Sequence, residues 1–292
     1  MKILVTGAGG QLGQDCVHVL GPEHTIYAFA SRELDIASER QVRERMALVR
    51  PEVVINCAAY TGVDASESNQ EQCWRVNAQG PAYLAATCTE HAARLLHVST
   101  DYVFAGDKPV PHPYTEADPV APLSEYGRSK LAGEEAIRAA CANHLIIRTA
   151  WLYGIGGRNF LKTMLRLAVS NPERTIRVVN DQYGSLTWTL RLAGQIRELL
   201  ADGLTGTVHA TAEGHATWYD GARVFLTAMG VPFSLEPCTS AEYPTPARRP
   251  VNSILENSVL KANGLNRMVP WEEDAQAFAR QYRADLLAEA RG

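Results

Sequence analysis

The chain has 292 residues, 46% of them hydrophobic and 21% charged, with a formal net charge of -4. That mildly acidic balance gives no general pull toward nucleic acid or an anionic membrane surface, and no apolar run approaches the roughly 18 residues of a spanning helix. The six cysteines form no C-x-x-C pair and the eight histidines show no zinc-binding spacing, so neither a disulfide framework nor a metal centre is expected.

The N-terminus starts at once as a strand at Ile3-Leu4-Val5. It offers no signal-peptide pattern, so a cytoplasmic protein is expected. A helix is predicted over Gln11 to Leu20, then a strand over Thr25 to Ala30. A helical segment around Glu39 to Leu48 precedes a third apolar run, Val53 to Cys57. An alanine-rich helix is predicted from Cys73 to Glu90, a fourth run at Leu95 to Ser99, a helix over Tyr126 to Ala142, and a fifth run at Leu145 to Arg148. Unbroken apolar runs separated by helices predict a parallel sheet covered on both faces, the doubly wound α/β fold.

The second half is less regular. Strands are predicted at Arg177 to Val179 and Thr207 to Ala210. Helices are predicted at Thr189 to Ala201, at Trp218 to Met229 with Thr217 as N-cap, and from about Glu272 to Ala290. The proline-rich stretch Pro232 to Pro250, punctuated by aromatics and arginines, reads as an ordered winding cap. The expected division is a dinucleotide-binding core over 1–155 and a mostly substrate-binding region over 156–292, with some segments returning to the core.

Gly7, Gly10 and Gly13 recur at three-residue spacing between a predicted strand and a predicted helix. The first permits a tight turn, the next lets backbone approach a pyrophosphate, and the last lets the helix pack closely. The N-terminus of that helix, from Gln11 and Leu12, then offers free N–H groups to a phosphate. After the second strand comes Ser31-Arg32 rather than an acidic residue. An arginine there suits a 2′-phosphate, which favours NADP over NAD. Asp35 and Ile36 follow and could cover the adenine.

Tyr126 and Lys130 lie four apart, on one face of a predicted helix. An ammonium beside a phenol is expected to lower the phenol's pKa. Tyr126 could then give a proton to a carbonyl oxygen as hydride arrives from a nicotinamide. Lys130 would also hold the nicotinamide ribose, and Thr100, at the end of the fourth run, could donate a hydrogen bond to the same oxygen.

These motifs resemble those of the extended short-chain dehydrogenase/reductases, a Rossmann-type group, and within it the dTDP-4-dehydrorhamnose reductases. The resemblance runs over almost the whole chain. It rests on the glycine turn, Asn56 to Asp64, Ser99 to Phe104, Tyr126 to Lys130, Arg148 to Gly154, Asn159-Phe160, Asp181 to Ser185 and Arg249 to Ser253. It implies reduction of the C4 ketone of dTDP-4-dehydro-β-L-rhamnose by NADPH or NADH. Tyr126 would be the proton donor, Lys130 its partner and Thr100 the polarising hydroxyl. Ala58, Ala59 and Tyr60 would line the cofactor. Thr61, Val63, Tyr102, Phe104 and Trp151 would line the substrate. Arg249 is a candidate for the diphosphate, with Arg248, Arg158 and Lys162.

Departures are visible. Leu186 stands where proline is usual, and Glu256 where Asp or Asn is common. Some family members are magnesium-bridged dimers. Asp15 matches one such ligand, but Arg191 stands where another acid is expected, and a guanidinium cannot ligate a cation. No metal is therefore expected, and monomer and homodimer both stay open. Three other readings compete. One is a nucleotide-sugar dehydratase or epimerase on the same fold, but a dehydratase would carry Glu where Tyr102 follows Thr100-Asp101. A non-catalytic NADP-binding regulatory subunit would not need Tyr126, Lys130 and Thr100 together. A reductase of a related 4-keto sugar nucleotide would need the same machinery.

Overall fold

The computed structural model describes residues 1–292. Its centre is a sheet of six parallel strands. β1 (Lys2–Thr6), β2 (Thr25–Phe29), β3 (Val53–Asn56), β4 (Arg94–Thr100) and β5 (His144–Thr149) arise in chain order, and Gly206–His209 returns much later to complete one edge. From that edge the spatial order is Gly206–His209, β5, β4, β3, β1, β2. Every pairing is parallel. β3 and β5 are buried at every residue, which is why they read as continuous apolar runs. β2 lies at the other edge and is partly exposed.

Alternate strand residues face opposite cores, as pleating requires. Ile3, Val5, Ile55 and Ile147 pack with Leu12, Leu192 and Ile196 from helices Gln11–Leu20 and Thr189–Asp202. Leu4, Val54, Leu95 and Ile146 pack on the other side with Met46, Leu84 and Ile137. Those come from helices Glu39–Val49, Gly80–Glu90 and Glu125–Ala140. The chain leaves β1 toward β2 on one side and then crosses to β3 on the other. The crevice at the carboxyl ends of β1 and β3 is therefore the switch point at which such sheets bind ligands.

Residues from Tyr153 to Leu286 build a separate aromatic-rich core around Trp188, Phe225 and Phe278. Helices Phe160–Ser170, Trp218–Met229 and Trp271–Gln281 surround it. Thr217 caps the second of these with a reciprocal capping box to Asp220, the signal read in the sequence.

Three elements depart from the sequence reading. Ser234–Cys238, inside the proline-rich stretch, is a strand that pairs in parallel with Thr175–Val179. Pro237 is tolerated because a two-stranded sheet is all edge. The final helix breaks at Tyr282 into Trp271–Gln281 and Arg283–Arg291. The alanine-rich helix is three pieces, Gln70–Trp74, a wider π-turn at Arg75–Gln79, and Gly80–Glu90. All six cysteines are free thiols, and no helix is long and apolar enough to cross a membrane.

Candidate active site

The glycine turn closes as its spacing requires. Gly7 has φ +65°, and a side chain there would bring Cβ within 2.6 Å of the Ala58 nitrogen. The turns after β1 and β3 thus touch at Cys57 and Ala58. A Cβ on Gly13 would collide with the Gly7 carbonyl oxygen, so helix Gln11–Leu20 starts flush against the turn. Gly10 donates its N–H to the Gly7 carbonyl at 2.9 Å. Gly10 is the N-cap and supplies no side-chain acceptor. The first helical N–H groups therefore face the crevice, as a pyrophosphate requires.

Ser31 and Arg32 are exposed just beyond β2. Asp35 accepts the Ala37 N–H at 3.0 Å and shapes the turn there. Ile36 packs inward, 2% exposed, in the core beneath the sheet. Leu12 is likewise a core residue, so only its backbone faces the crevice.

Ser124 caps helix Glu125–Ala140 through the Gly127 N–H. This sets Tyr126 in the first turn and Lys130 one turn deeper. Lys130 is 2% exposed. Its Nζ donates to the Val98 carbonyl at 2.7 Å and lies 3.3 Å from His97 Nε2. Burial pulls its pKa down to about 8, against the opposing charge of Glu134 and the thiols of Cys57 and Cys73. Burial also pushes the Tyr126 phenol above its ordinary value; the Thr100 hydroxyl opposes this and Asp101 reinforces it. The lowering expected from Lys130 does not show: burial decides the direction at Tyr126.

The Thr100 hydroxyl donates to Asp101 Oδ1 at 2.9 Å and accepts the Tyr102 N–H at 3.2 Å. Its single hydrogen is thereby engaged by Asp101. Burial raises the Asp101 carboxyl to about 6 despite hydrogen bonds from Ser253, Thr100 and nearby backbone. The Tyr102 ring meets Tyr126 edge-on, with centroids 5.7 Å apart.

Two supporting residues were missed in the sequence. Asn77, in the π-turn, accepts the Tyr60 N–H at 2.8 Å and donates to the Tyr60 carbonyl at 3.0 Å and to Ser129 at 3.1 Å. It clamps the turn after β3 to the helix of Tyr126 and Lys130. Glu134, fully buried, accepts from Arg148 at 2.7 Å and from Ser99 at 2.6 Å, tying the same helix to β4 and β5. Its position four residues after Lys130, on the inward face, was the available signal.

On the substrate side Trp151 adopts φ +47°, a left-handed conformation that strains a bulky residue. Its indole stacks on Trp218, centroids 3.6 Å apart and planes within 8°. Gly184 has no side chain because Trp151 occupies that space. Trp218, a partner the sequence did not suggest, also lines a cavity of about 660 Å³ with Phe160, Arg174, Arg177, Gln182 and Arg249. Arg249 makes a two-pronged pair with Asp64, at 2.8 and 2.9 Å. Thr61 is exposed and Val63 partly buried on the facing turn.

Phe104 does not line the site. It is fully buried, stacked on Tyr114 at 4.5 Å with Arg148 over its ring. The side chain turns into the core as the chain leaves β4. Lys162 is also engaged elsewhere, by the Ile155 and Gly157 carbonyls and by Glu289. Arg158 and Arg248 are exposed. Asp15 accepts from Thr189 at 2.5 Å, and Arg191 pairs with Asp274 at 3.0 Å.

Comparison with known proteins settles the family. Residues 1–284 match the model described as "RmlD substrate binding domain". The chain belongs to the dTDP-4-dehydrorhamnose reductase family. It is 41% identical over 280 residues to dTDP-4-dehydrorhamnose reductase of Mycolicibacterium smegmatis, covering 94% of this chain and 84% of that protein. It is 39% identical over 271 residues to dTDP-4-keto-6-deoxy-D-glucose reductase of Streptomyces niveus, covering 92% and 93%. The solved structure of the Bacillus anthracis reductase in complex with NADP superposes with a TM-score of 0.93 at 37% identity, covering 96% of this chain and 99% of that one.

Proposed function

We propose that this chain reduces the C4 ketone of dTDP-4-dehydro-β-L-rhamnose to dTDP-L-rhamnose, with NADPH as reductant. The observation that carries the reading is Tyr126 against Thr100 at the carboxyl edge of the sheet, with Lys130 one turn along the same helix, next to a glycine turn shaped for a dinucleotide. The donor set fits the cofactor: free helix N–H groups for the pyrophosphate, Arg32 for a 2′-phosphate, and Lys130 within reach of a ribose. When bound, NADPH supplies a hydride. Tyr126 supplies the matching proton to the ketone oxygen, since its phenol stays protonated at neutral pH.

The nucleotide end of the substrate belongs in the cavity beside Trp218. Aromatic faces there suit a pyrimidine, and Arg249, Arg174 and Arg177 suit a diphosphate. Asp64 holds Arg249 in place, and the Arg249–Asp64 pair pulls that carboxyl below its ordinary range. Residues 1–155 would then carry the cofactor and most residues after them the sugar nucleotide. Tyr102, Thr61, Val63 and Trp151 surround the sugar.

The test is a panel of keto sugar nucleotides followed by NADPH absorbance. Rapid oxidation with the 4-dehydrorhamnose nucleotide, and slower or no oxidation with other 4-keto sugars, is expected. Preference for 4-keto-6-deoxy-D-glucose, the substrate named for the Streptomyces niveus relative, would instead establish the second reading.

A further inference from the structure

Four buried polar side chains run in line beneath the cofactor crevice, one from each of β1, β3 and β4 and one from the helix Glu125–Ala140. Thr6 donates its hydroxyl to Asn56 Oδ1 at 2.6 Å. The Ala58 N–H donates to the same oxygen at 3.1 Å. A backbone N–H can only donate, so this end of the Asn56 amide is its oxygen. The amide nitrogen is then the atom 2.8 Å from His97 Nδ1. An amide NH₂ also only donates, so Nδ1 accepts and carries no hydrogen. Neutral imidazole keeps its one N–H at the other nitrogen, Nε2. That N–H faces Lys130 Nζ across 3.3 Å.

We propose that His97 is a positioning residue for Lys130: its Nε2–H is directed at the Nζ lone pair and favours the uncharged amine over the ammonium. An ammonium has no lone pair, and would meet this N–H donor to donor. An amine accepts it, and still donates one of its own hydrogens to the Val98 carbonyl at 2.7 Å. His97 cannot escape by taking a second proton, because Nδ1–H would then face the Asn56 NH₂. Burial holds its imidazole well below the ordinary range.

Glu134, Cys57 and Cys73 also bear on Lys130. Glu134, one turn along the same helix, favours the ammonium, but Arg148 and Arg138 already neutralise it. The Cys73 thiol favours the ammonium only if ionised. Burial pushes the Cys73 thiol up.

The inference rests on the reductase reading for its purpose. With a pKa of about 8, the charge that Lys130 would carry beside the cofactor ribose varies with pH near neutrality. Its test needs no turnover, so it stands or falls apart from that reading.

Nuclear magnetic resonance on the unloaded protein decides it. The His97 nitrogen shifts should show Nε2 protonated and Nδ1 bare. The ε-carbon of Lys130 should titrate near pH 8. His97→Leu should move that titration upward by about one pH unit or more, toward the ordinary lysine value. His97→Gln, whose amide can accept from Asn56 and donate to Lys130, should restore it. An Nδ1–H tautomer in the wild type would overturn the proposal, and this requires no variant to fold. So would a Lys130 titration unchanged in His97→Leu.

Discussion

The two sides of the crevice are built differently. On the sheet side the reactive groups hang on buried, satisfied partners: Lys130 on Val98, Thr100 on Asp101, and the helix itself on Glu134 and Asn77. On the facing side, recognition falls to half-buried surfaces. The Trp151–Trp218 stack and Arg249 on Asp64 line a roomy cavity. The first arrangement suits chemistry, which needs fixed geometry. The second suits binding, where aromatic faces and arginines provide area and charge. Damage to the sheet side should therefore appear in stability or rate, and damage to the facing side in substrate affinity.

The strongest break in that contrast comes from Glu134. Burial alone would raise its carboxyl, but Arg148, Ser99 and Arg138 outweigh burial and hold it below the ordinary range. Glu134→Gln strands Arg148, 3% exposed, and should cost about 3 kcal/mol in denaturant unfolding. A folded pKa below the unfolded one gives stability that is present above the unfolded value and lost as pH falls through the folded one. The gap between wild type and variant should thus close below about pH 4. A gap that widens in acid would show that the pair does not act this way.

On the facing side, Trp218→Ala should raise KM for the sugar nucleotide about tenfold while kcat stays within about twofold, the signature of lost uniform binding. A fall in kcat alone would place Trp218 with the chemistry instead. The smallest effect is expected at the exposed rim of the cofactor site. Arg32→Ala should weaken NADPH about fivefold and leave NADH unchanged, as one exposed phosphate contact allows. Equal weakening of both, read by fluorescence titration, would remove the 2′-phosphate assignment.

Legibility follows the same divide. β1, β3, β4 and β5 are buried on both faces, so their apolar runs were plain in the sequence, and the glycine turn and the Tyr126–Lys130 spacing came with them. Phe104 was misplaced because its neighbours in sequence line the site while its own side chain packs inward. The Ser234–Cys238 strand was hidden by Pro237, and the π-turn around Asn77 by an otherwise unbroken helical pattern. His97 sits between Leu96 and Val98 as a polar residue inside an apolar run. Only the fold brings it against Asn56 and Lys130, residues far from it in sequence.

The central claim is that the Tyr126 phenol is the proton source for reduction of a sugar ketone. Its most direct measurement is single-turnover hydride transfer from NADPH to dTDP-4-dehydrorhamnose in Tyr126→Phe, alongside NADPH binding. The account predicts unchanged cofactor affinity and a rate at least about a hundredfold below wild type. A rate within about threefold of wild type would contradict it.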